Sequence, residues 1–395
     1  MSDTPEDRLT LETTGRISDV DAAAWDACAG PDNPFVSHAF LAALEESESV
    51  GREAGWLPRH LLLRDAAGTL LATAPLYVKS HSYGEYVFDW AWANAYAQAG
   101  GRYYPKLQCA VPFTPVTGPR LLVRPDARDP AALRQALAGG MIELAERAGC
   151  SSVHITFPTE AEAQALGAMG LLTRLGTQYH WENRGYASFD DFLAGLASRK
   201  RKDIRKEREK AQATGVRLRT LTGADITAAH WDAFFRFYRS TSDRKWGTPY
   251  LTRAFFDLLG ERLGDSVVLV MGEDDGRPVC GALNLRGGDC LYGRNWGSLG
   301  EYRYLHFEAC YYRAIDYAIE HRLARVEAGA QGEHKIKRGY LPQATWSAHW
   351  IADPALRAAV SRFLRQETAM MQEEMADLCD LAPYRRGSDA STDRA

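Results

Sequence analysis

Two stretches of the chain repeat the same alternation of short apolar runs and a polar turn. His60 to Tyr77 reads as strand, glycine turn and strand around Asp65 to Gly68, and Val267 to Leu285 reads the same way around Glu273 to Gly276. An amphipathic helix is predicted before each hairpin, over Ser37 to Glu46, where Ser37 suits an N-cap, and over Thr252 to Leu263. Each hairpin is followed later by helix then strand: Ala131 to Ala148 leading to Ser152 to Phe157, and Tyr304 to His321 leading to Ala324 to Gly329. Both halves close on similar words, His180-Trp181 and His349-Trp350. Such an approximate repeat predicts an α/β (α+β) chain of two tandem units with mixed central sheets. The expected boundaries are residues 1–190 for the first unit, 191–215 for a connector helix, 216–386 for the second unit and 387–395 for a disordered polar tail.

The halves differ over residues 79–122, where the first carries a long insertion rich in rings and prolines. His81, Tyr83, Trp90, Trp92 and Tyr104 stand there beside Asp89 and Lys106. Such rings either seal an interface or form a stiff wall around a ligand. The connector, Ser198 to Lys210, holds eight basic residues against Asp203, Glu207 and Glu209, and reads as a solvated helix or as a cradle for a polyanion.

Composition narrows the classes. Of 395 residues, 46% are hydrophobic and 25% charged, so the chain folds into a sizeable core. The formal net charge of −4 gives no global attraction to nucleic acid or anionic membrane, so any polyanion contact is local. The polar start lacks a secretory signal, no apolar run is long enough to span a bilayer, and seven scattered cysteines without a C-x-x-C pair fit a reducing compartment. A cytoplasmic protein is the expectation.

The sharpest anomaly is Glu308. On a helix it shares a face with Tyr304, Leu305, Tyr311, Tyr312, Ile315 and Ile319, where a carboxylate is out of place. Burial would raise its pKa and make it a general base, unless it is ion-paired with Arg294, Arg303 or Arg313. After the next strand, Gly329 to Gly339 combines two freeing glycines with Lys335, Lys337 and Arg338, a junction suited to an anion or else an ordinary helix start. There His334 and Gln331 are candidates to polarise a carbonyl, and Gly332, Lys335 and Arg338 to hold donor phosphate. Ser242 to Tyr250 gathers Arg244 and Trp246 in a binding-type loop. No histidine or cysteine spacing suits a metal, no G-x-S-x-G elbow suits a serine hydrolase, and Cys310 reads as a packed thiol.

Several longer words carry a resemblance: His81-Ser-Tyr-Gly-Glu-Tyr-Val-Phe-Asp-Trp-Ala-Trp92, Tyr103-Tyr-Pro-Lys106, Val111 to Arg120, Arg244 to Tyr250, Leu305-His-Phe-Glu-Ala-Cys-Tyr-Tyr312 and Gly329-Ala-Gln-Gly-Glu-His-Lys335. Over roughly residues 37 to 370 the chain resembles the FemAB-like family labelled peptidoglycan biosynthesis or recognition, within the GNAT acyltransferase superfamily. The resemblance implies two GNAT-like units and acyl transfer, from acyl-CoA or from aminoacyl-tRNA, with no tightly bound cofactor. Arg294-Asn-Trp-Gly-Ser-Leu299 begins the [QR]-x-x-G-x-[GA] loop that grips CoA in GNAT enzymes, and fails it at the last position. The resulting expectation is an amide-forming acyltransferase acting on a small-molecule or peptide amine acceptor, with no metal required and Glu308 as base. His81, Tyr83, Asp89, Trp90, Trp92, Tyr104, Lys106, Arg244, Trp246, Trp296 and His306 are the expected substrate-binding residues, and Arg199 to Lys210 the expected tRNA contact. The alternative is a non-catalytic protein recognising a small molecule or cell-wall fragment.

Overall fold

In the second unit of the chain a buried mixed sheet is built around the predicted hairpin. The computed structural model describes residues 9–245, 249–329 and 332–385, without the side chains of 242–245. Two compact units emerge, and neither is a single run of sequence. The first gathers residues up to Gly176, Tyr250–Leu263 and Ala344–Met371; the second gathers Thr177–Pro249, Gly264–Gln343 and the residues from Gln372 on.

The second unit orders its strands Arg217–Thr222, Val267–Asp274, Arg277–Gly287, Cys290–Ser298 and Arg325–Glu327, then residues 180–182 of the strand Leu172–Glu182. Neighbours are antiparallel except Cys290–Ser298 with Arg325–Glu327, which run parallel. The first six residues of Val267–Asp274 are all buried, as a strand covered on both faces requires. Tyr312 and Ile315 of the helical segment 305–320 share one core with Trp181, Phe192 and Tyr340.

In the first unit the corresponding hairpin is divided between two sheets. His60–Arg64 and Leu70–Ala74 pair with each other and lie between Thr10–Thr14 and Leu122–Val123. Pro75 has no N–H for the ladder, and after it the chain enters a second sheet as Leu76–Lys79. That sheet runs Trp56–Pro58, Leu76–Lys79, Lys106–Cys109, Ser152–Thr156 and residues 347–351 of Leu341–Ile351. The insertion thus contributes a central strand, Lys106–Cys109, and the helix Trp90–Gln98.

The predicted helices form close to their expected bounds. Ser37 caps His38–Glu46 by accepting the Phe40 N–H at 3.3 Å. The helix expected at the head of the second half, Arg253–Leu263, packs inside the first unit, where Phe255 meets Phe40 edge-on at 5.7 Å and Arg262 pairs with Glu46. The basic segment forms one helix, Ser198–Gln212, within the second unit. The expected tail at 387–395 lies outside the described residues. No helix among the described residues is long and apolar enough to cross a membrane.

Candidate functional site

The helical segment 305–320 of the second unit is not a regular α-helix. Leu305–Phe307 and Arg313–Glu320 flank a π turn, Glu308–Tyr312, and Tyr304 enters it with a left-handed φ of 60°. π turns widen a helix by one residue and recur at functional sites, and a non-glycine residue at positive φ is held by its surroundings.

Glu308 is 3% exposed, as the sequence predicts, but its carboxylate is not open. Arg208 of the basic helix donates Nη2–H to Oε1 at 2.9 Å and Nε–H to Oε2 at 3.1 Å, and also bonds Asp316 at 2.7 Å. Arg313 approaches at 3.6 Å. With both oxygens in this guanidinium fork, Glu308 anchors Arg208, an ion pair of the kind that stood as the alternative to a base, though with a different arginine. Arg208 lies a hundred residues from Glu308 in sequence, so no local pattern pairs them.

A second fork lies beside the first. Arg338 binds both oxygens of Glu207 at 2.8 and 3.1 Å, stacks over Phe307 at 3.5 Å and donates to the carbonyl of His334 at 2.6 Å; Tyr312 also donates to Glu207. His334 Nε2 lies 3.0 Å from the Tyr311 hydroxyl, and burial, aided by Arg338 and Lys335, lowers its pKa. Gly332, at φ 110°, is needed here, because a Cβ would fall 2.4 Å from the His334 ring. Lys335 is turned inward: its ammonium donates to the carbonyls of Ala328 and Gly329 at 2.7 and 2.9 Å, and burial lowers its pKa to about 8. In this arrangement Lys335 pins the loop, with its ammonium directed at backbone carbonyls. Gln331 lies outside the described residues.

Two cavities flank this cluster. One, of about 350 Å³, lies between the basic helix and the segment Glu333–Arg338, and carries the cations Lys200, Lys206, Lys210, Lys337 and Arg338 on its wall. The other, of about 470 Å³, is lined by Trp296, Ser298, Tyr302, Leu305 and His306, so it unites two expected substrate contacts. Between them stands a ring cluster: His306 lies 5.3 Å from Trp296 and from Tyr311, and Phe307 lies 5.5 Å from His334. Arg294 lies on the strand Cys290–Ser298, close enough to Glu327 to bias its charge.

In the first unit the insertion builds a sealed polar network. Lys106 is fully buried and donates to Glu85 at 2.7 Å, to Ser82 at 2.9 Å and to Asp89. Asp89 also accepts from Tyr103 at 2.8 Å; burial would push its pKa up, but Lys106 and His154 outweigh that and hold it low. Lys79 sits 3.8 Å from Glu85 and 3.6 Å from the Trp56 ring centroid, and burial lowers its pKa to about 6. His154 and His349 share a 2.7 Å contact between Nδ1 atoms, and Trp92 packs on both rings. Asp89, Lys106 and Trp92, expected to touch substrate, are thus buried inside the fold, with Lys106 and one Asp89 oxygen hydrogen-bonded and the Trp92 ring packed on the histidines. Tyr104 bonds Ser82 at 2.8 Å. The ladder His81, Tyr83 and Trp90, with ring spacings of 5.1 and 4.9 Å and Tyr83 57% exposed, presents a surface. The side chain of Arg244 and all of Trp246 lie outside the described residues.

Sequence reasoning missed Arg208 and Glu207 as partners, and Lys79, Glu85, His154 and His349 as a cluster. The signal for the histidines was present, since His349 closes the second half and His154 sits in the predicted strand Ser152 to Phe157. Among the described residues no group of three His, Cys, Asp or Glu is arranged to hold a metal ion.

A family profile described as peptidoglycan biosynthesis/recognition, FemAB-like, matches residues 16–386. The chain belongs to the FemAB-like family. Among solved structures, FemX is similar over 87% of this chain and 98% of its own at 13% identity, with a TM-score of 0.55. The C-terminal domain of a putative lysylphosphatidylglycerol synthetase from Agrobacterium fabrum is similar over 89% and 96% at 9% identity, with a TM-score of 0.54. At such identities the likeness is one of fold: this FemAB-like chain has the mixed α/β architecture with mixed sheets that its sequence predicts. No functionally curated protein matches it in sequence.

Proposed function

We propose that this FemAB-like protein transfers an activated acyl group to an amine acceptor by direct attack, and that the donor's phosphates lie in the cationic cavity beside helix Ser198–Gln212. The observation that carries the reading is that cavity: Lys200, Lys206, Lys210 and Lys337 converge on about 350 Å³ beside Arg338, whose fork takes up Glu207, and Asp203 is the one further carboxylate on the wall. Acyl donors of both candidate kinds, aminoacyl-tRNA and acyl-CoA, carry phosphates that such a wall attracts. The neighbouring cavity lined by Trp296 and His306 offers an aromatic surface for the acceptor. His334, exposed beside the ring cluster and with a lowered pKa, is the candidate to polarise the donor carbonyl.

Titration of the protein with uncharged tRNA and with acetyl-CoA at two salt concentrations tests the donor site. Binding of either that weakens with salt, and that Lys200, Lys206 and Lys210 changed together to Ala abolish, supports the reading. Absence of binding by both at low salt would overturn it.

A second reading, recognition of a peptidoglycan fragment without catalysis, is favoured by one observation: the carboxylate best placed on the π turn is held in a salt bridge. Fragment binding together with absent donor binding selects it.

A further inference from the structure

The strands of the second unit part at one defined place. Cys290–Ser298 and Arg325–Glu327 pair in parallel through three rungs, Cys290 with Arg325, Leu291 with Val326 and Tyr292 with Glu327. Beyond that rung the first strand runs on to Ser298, whereas the second ends. In open α/β sheets the crevice beyond the carboxyl ends of parallel strands is where ligands enter. The same place carries a bulge: the register passes from Leu283 opposite Asn295 to Asn284 opposite Gly293 and skips Arg294. Bulges re-aim side chains and cluster beside active sites. Gly293 lets the strand come close, since a Cβ there would lie 3.3 Å from the Glu327 carbonyl oxygen.

Glu327 occupies the last rung. Its side chain is 4% exposed and its Oε2 has no hydrogen-bond partner, while Oε1 has Arg325 Nε at 3.4 Å. His180 Nε2 stands 3.8 Å from Oε2. This contrasts with Glu308, whose two oxygens are both taken. A buried carboxylate oxygen without a donor costs free energy that a proton-donating ligand would recover. The chain leaving the fork is held still, because Lys335 grips the carbonyls of Ala328 and Gly329, the two residues after Glu327.

We propose that Glu327 is the proton acceptor of the second unit, its free Oε2 at the strand fork taking the proton of the primary amine that attacks the acyl donor. The inference rests on the transfer reading above and names the residue that Glu308 was expected to be. The acceptor arrives as an ammonium; one proton passes to Oε2, and the freed amine nitrogen bonds the acyl carbon. The carbon–oxygen or carbon–sulfur bond of the ester or thioester donor breaks, the leaving atom takes a second proton from nitrogen, and Glu327 returns its proton to water.

The charged and titratable neighbours fit this role. Burial raises the pKa of Glu327 to about 7, against the opposing pull of Arg325 on its own strand and Arg294 on the adjacent one. Cys290 and Tyr292, on that adjacent strand, are both shifted upward by burial and add no charge, and the Cys290 thiol, within hydrogen-bonding reach of the Glu327 carboxyl, opposes the rise as the arginines do. His180, on the other side, has its pKa lowered to about 3 by burial and faces Glu327 as a neutral ring. The carboxylate is therefore poised near neutrality, where a general base works best.

Full-length wild type, E327Q and E327D are compared by two measurements. Isotope-edited infrared spectroscopy with labelled glutamate follows carboxyl protonation between about pH 6 and 8. Mass spectrometry follows acyl transfer from acetyl-CoA or an aminoacyl-tRNA pool to lysine amide across the same range. The expected result is a carboxyl band that titrates in wild type and vanishes in E327Q, with transfer lowered about a hundredfold or more in E327Q and partly kept in E327D. A wild-type band that E327Q leaves unchanged, or transfer that E327Q leaves at the wild-type rate at every pH, would overturn the proposal. A titrating Glu327 band in a protein that transfers nothing would sink the transfer reading and support the proton site alone.

Discussion

At Arg208 one guanidinium answers two carboxylates, Glu308 and Asp316, while its face rests 4.3 Å from the Phe189 ring centroid. Glu308 is buried, so removing its partner strands a charge, which costs more than the pair itself contributes. Arg208→Ala should lower stability by about 3 kcal/mol, and Arg208→Lys should fall between, because an ammonium keeps the charge but loses the fork. Urea unfolding of the three proteins measures this; equal midpoints would refute it. Lys335 allows a test by pH. Its folded pKa of about 8 lies below the value of about 10.4 for a lysine in an unfolded chain. Between those values the unfolded chain binds the extra proton, so stability rises with pH across that window, and the cost of burying the ammonium is fully present below it. Lys335→Met should flatten that rise, and a slope unchanged from wild type would show that Lys335 is not its source.

The basic helix Ser198–Gln212 gives little of itself to the core. Only Ile204 and Ala211 are buried, no side chain caps its first turn, and that turn holds Arg199 and Lys200 at the end where the helix dipole is already positive. An anion would relieve both features. Changing Lys200, Lys206 and Lys210 together to Ala should leave the circular dichroism of the protein intact, since none of the three is buried. It should reduce the slope of log affinity against log salt for tRNA by about 2, at ~0.7 per phosphate contact. Unchanged salt dependence would place the polyanion elsewhere. The π turn Glu308–Tyr312 matters at the same scale, because it sets Glu308 toward Arg208 and Tyr312 toward Glu207, coupling this helix to the cationic one.

For the molecule, the decisive feature is that each unit draws on both halves of the chain. The first unit closes its sheet with residues 347–351 and its core with Leu356, Val360 and Leu364, packed around Trp92 and Tyr103. Residues 1–190 alone would carry an open strand edge along Ser152–Thr156 and an uncovered apolar face. That fragment should aggregate or give poorly dispersed amide spectra, whereas co-expression with 191–395 should restore a cooperative transition. Cooperative unfolding of 1–190 alone would contradict this.

Much of the architecture could be read from periodicity. Hairpins around Gly68 and Gly276, the helices predicted over Ser37 to Glu46 and Ala131 to Ala148, and the burial of Glu308 follow from local pattern, because strand alternation, caps and helical faces involve residues a few positions apart. Partnership did not follow. Arg208 meets Glu308, His349 meets His154, and Arg253–Leu263 joins the first unit through contacts separated by a hundred residues or more in sequence, which no local rule encodes. Whether a buried acid serves as base or as anchor depends on such distant neighbours, since charge and hydrogen bonding act through space. Glu327 shows the same division: its place on a strand was visible in the apolar pattern, and its unpartnered oxygen at a strand fork appears only once the sheet is assembled.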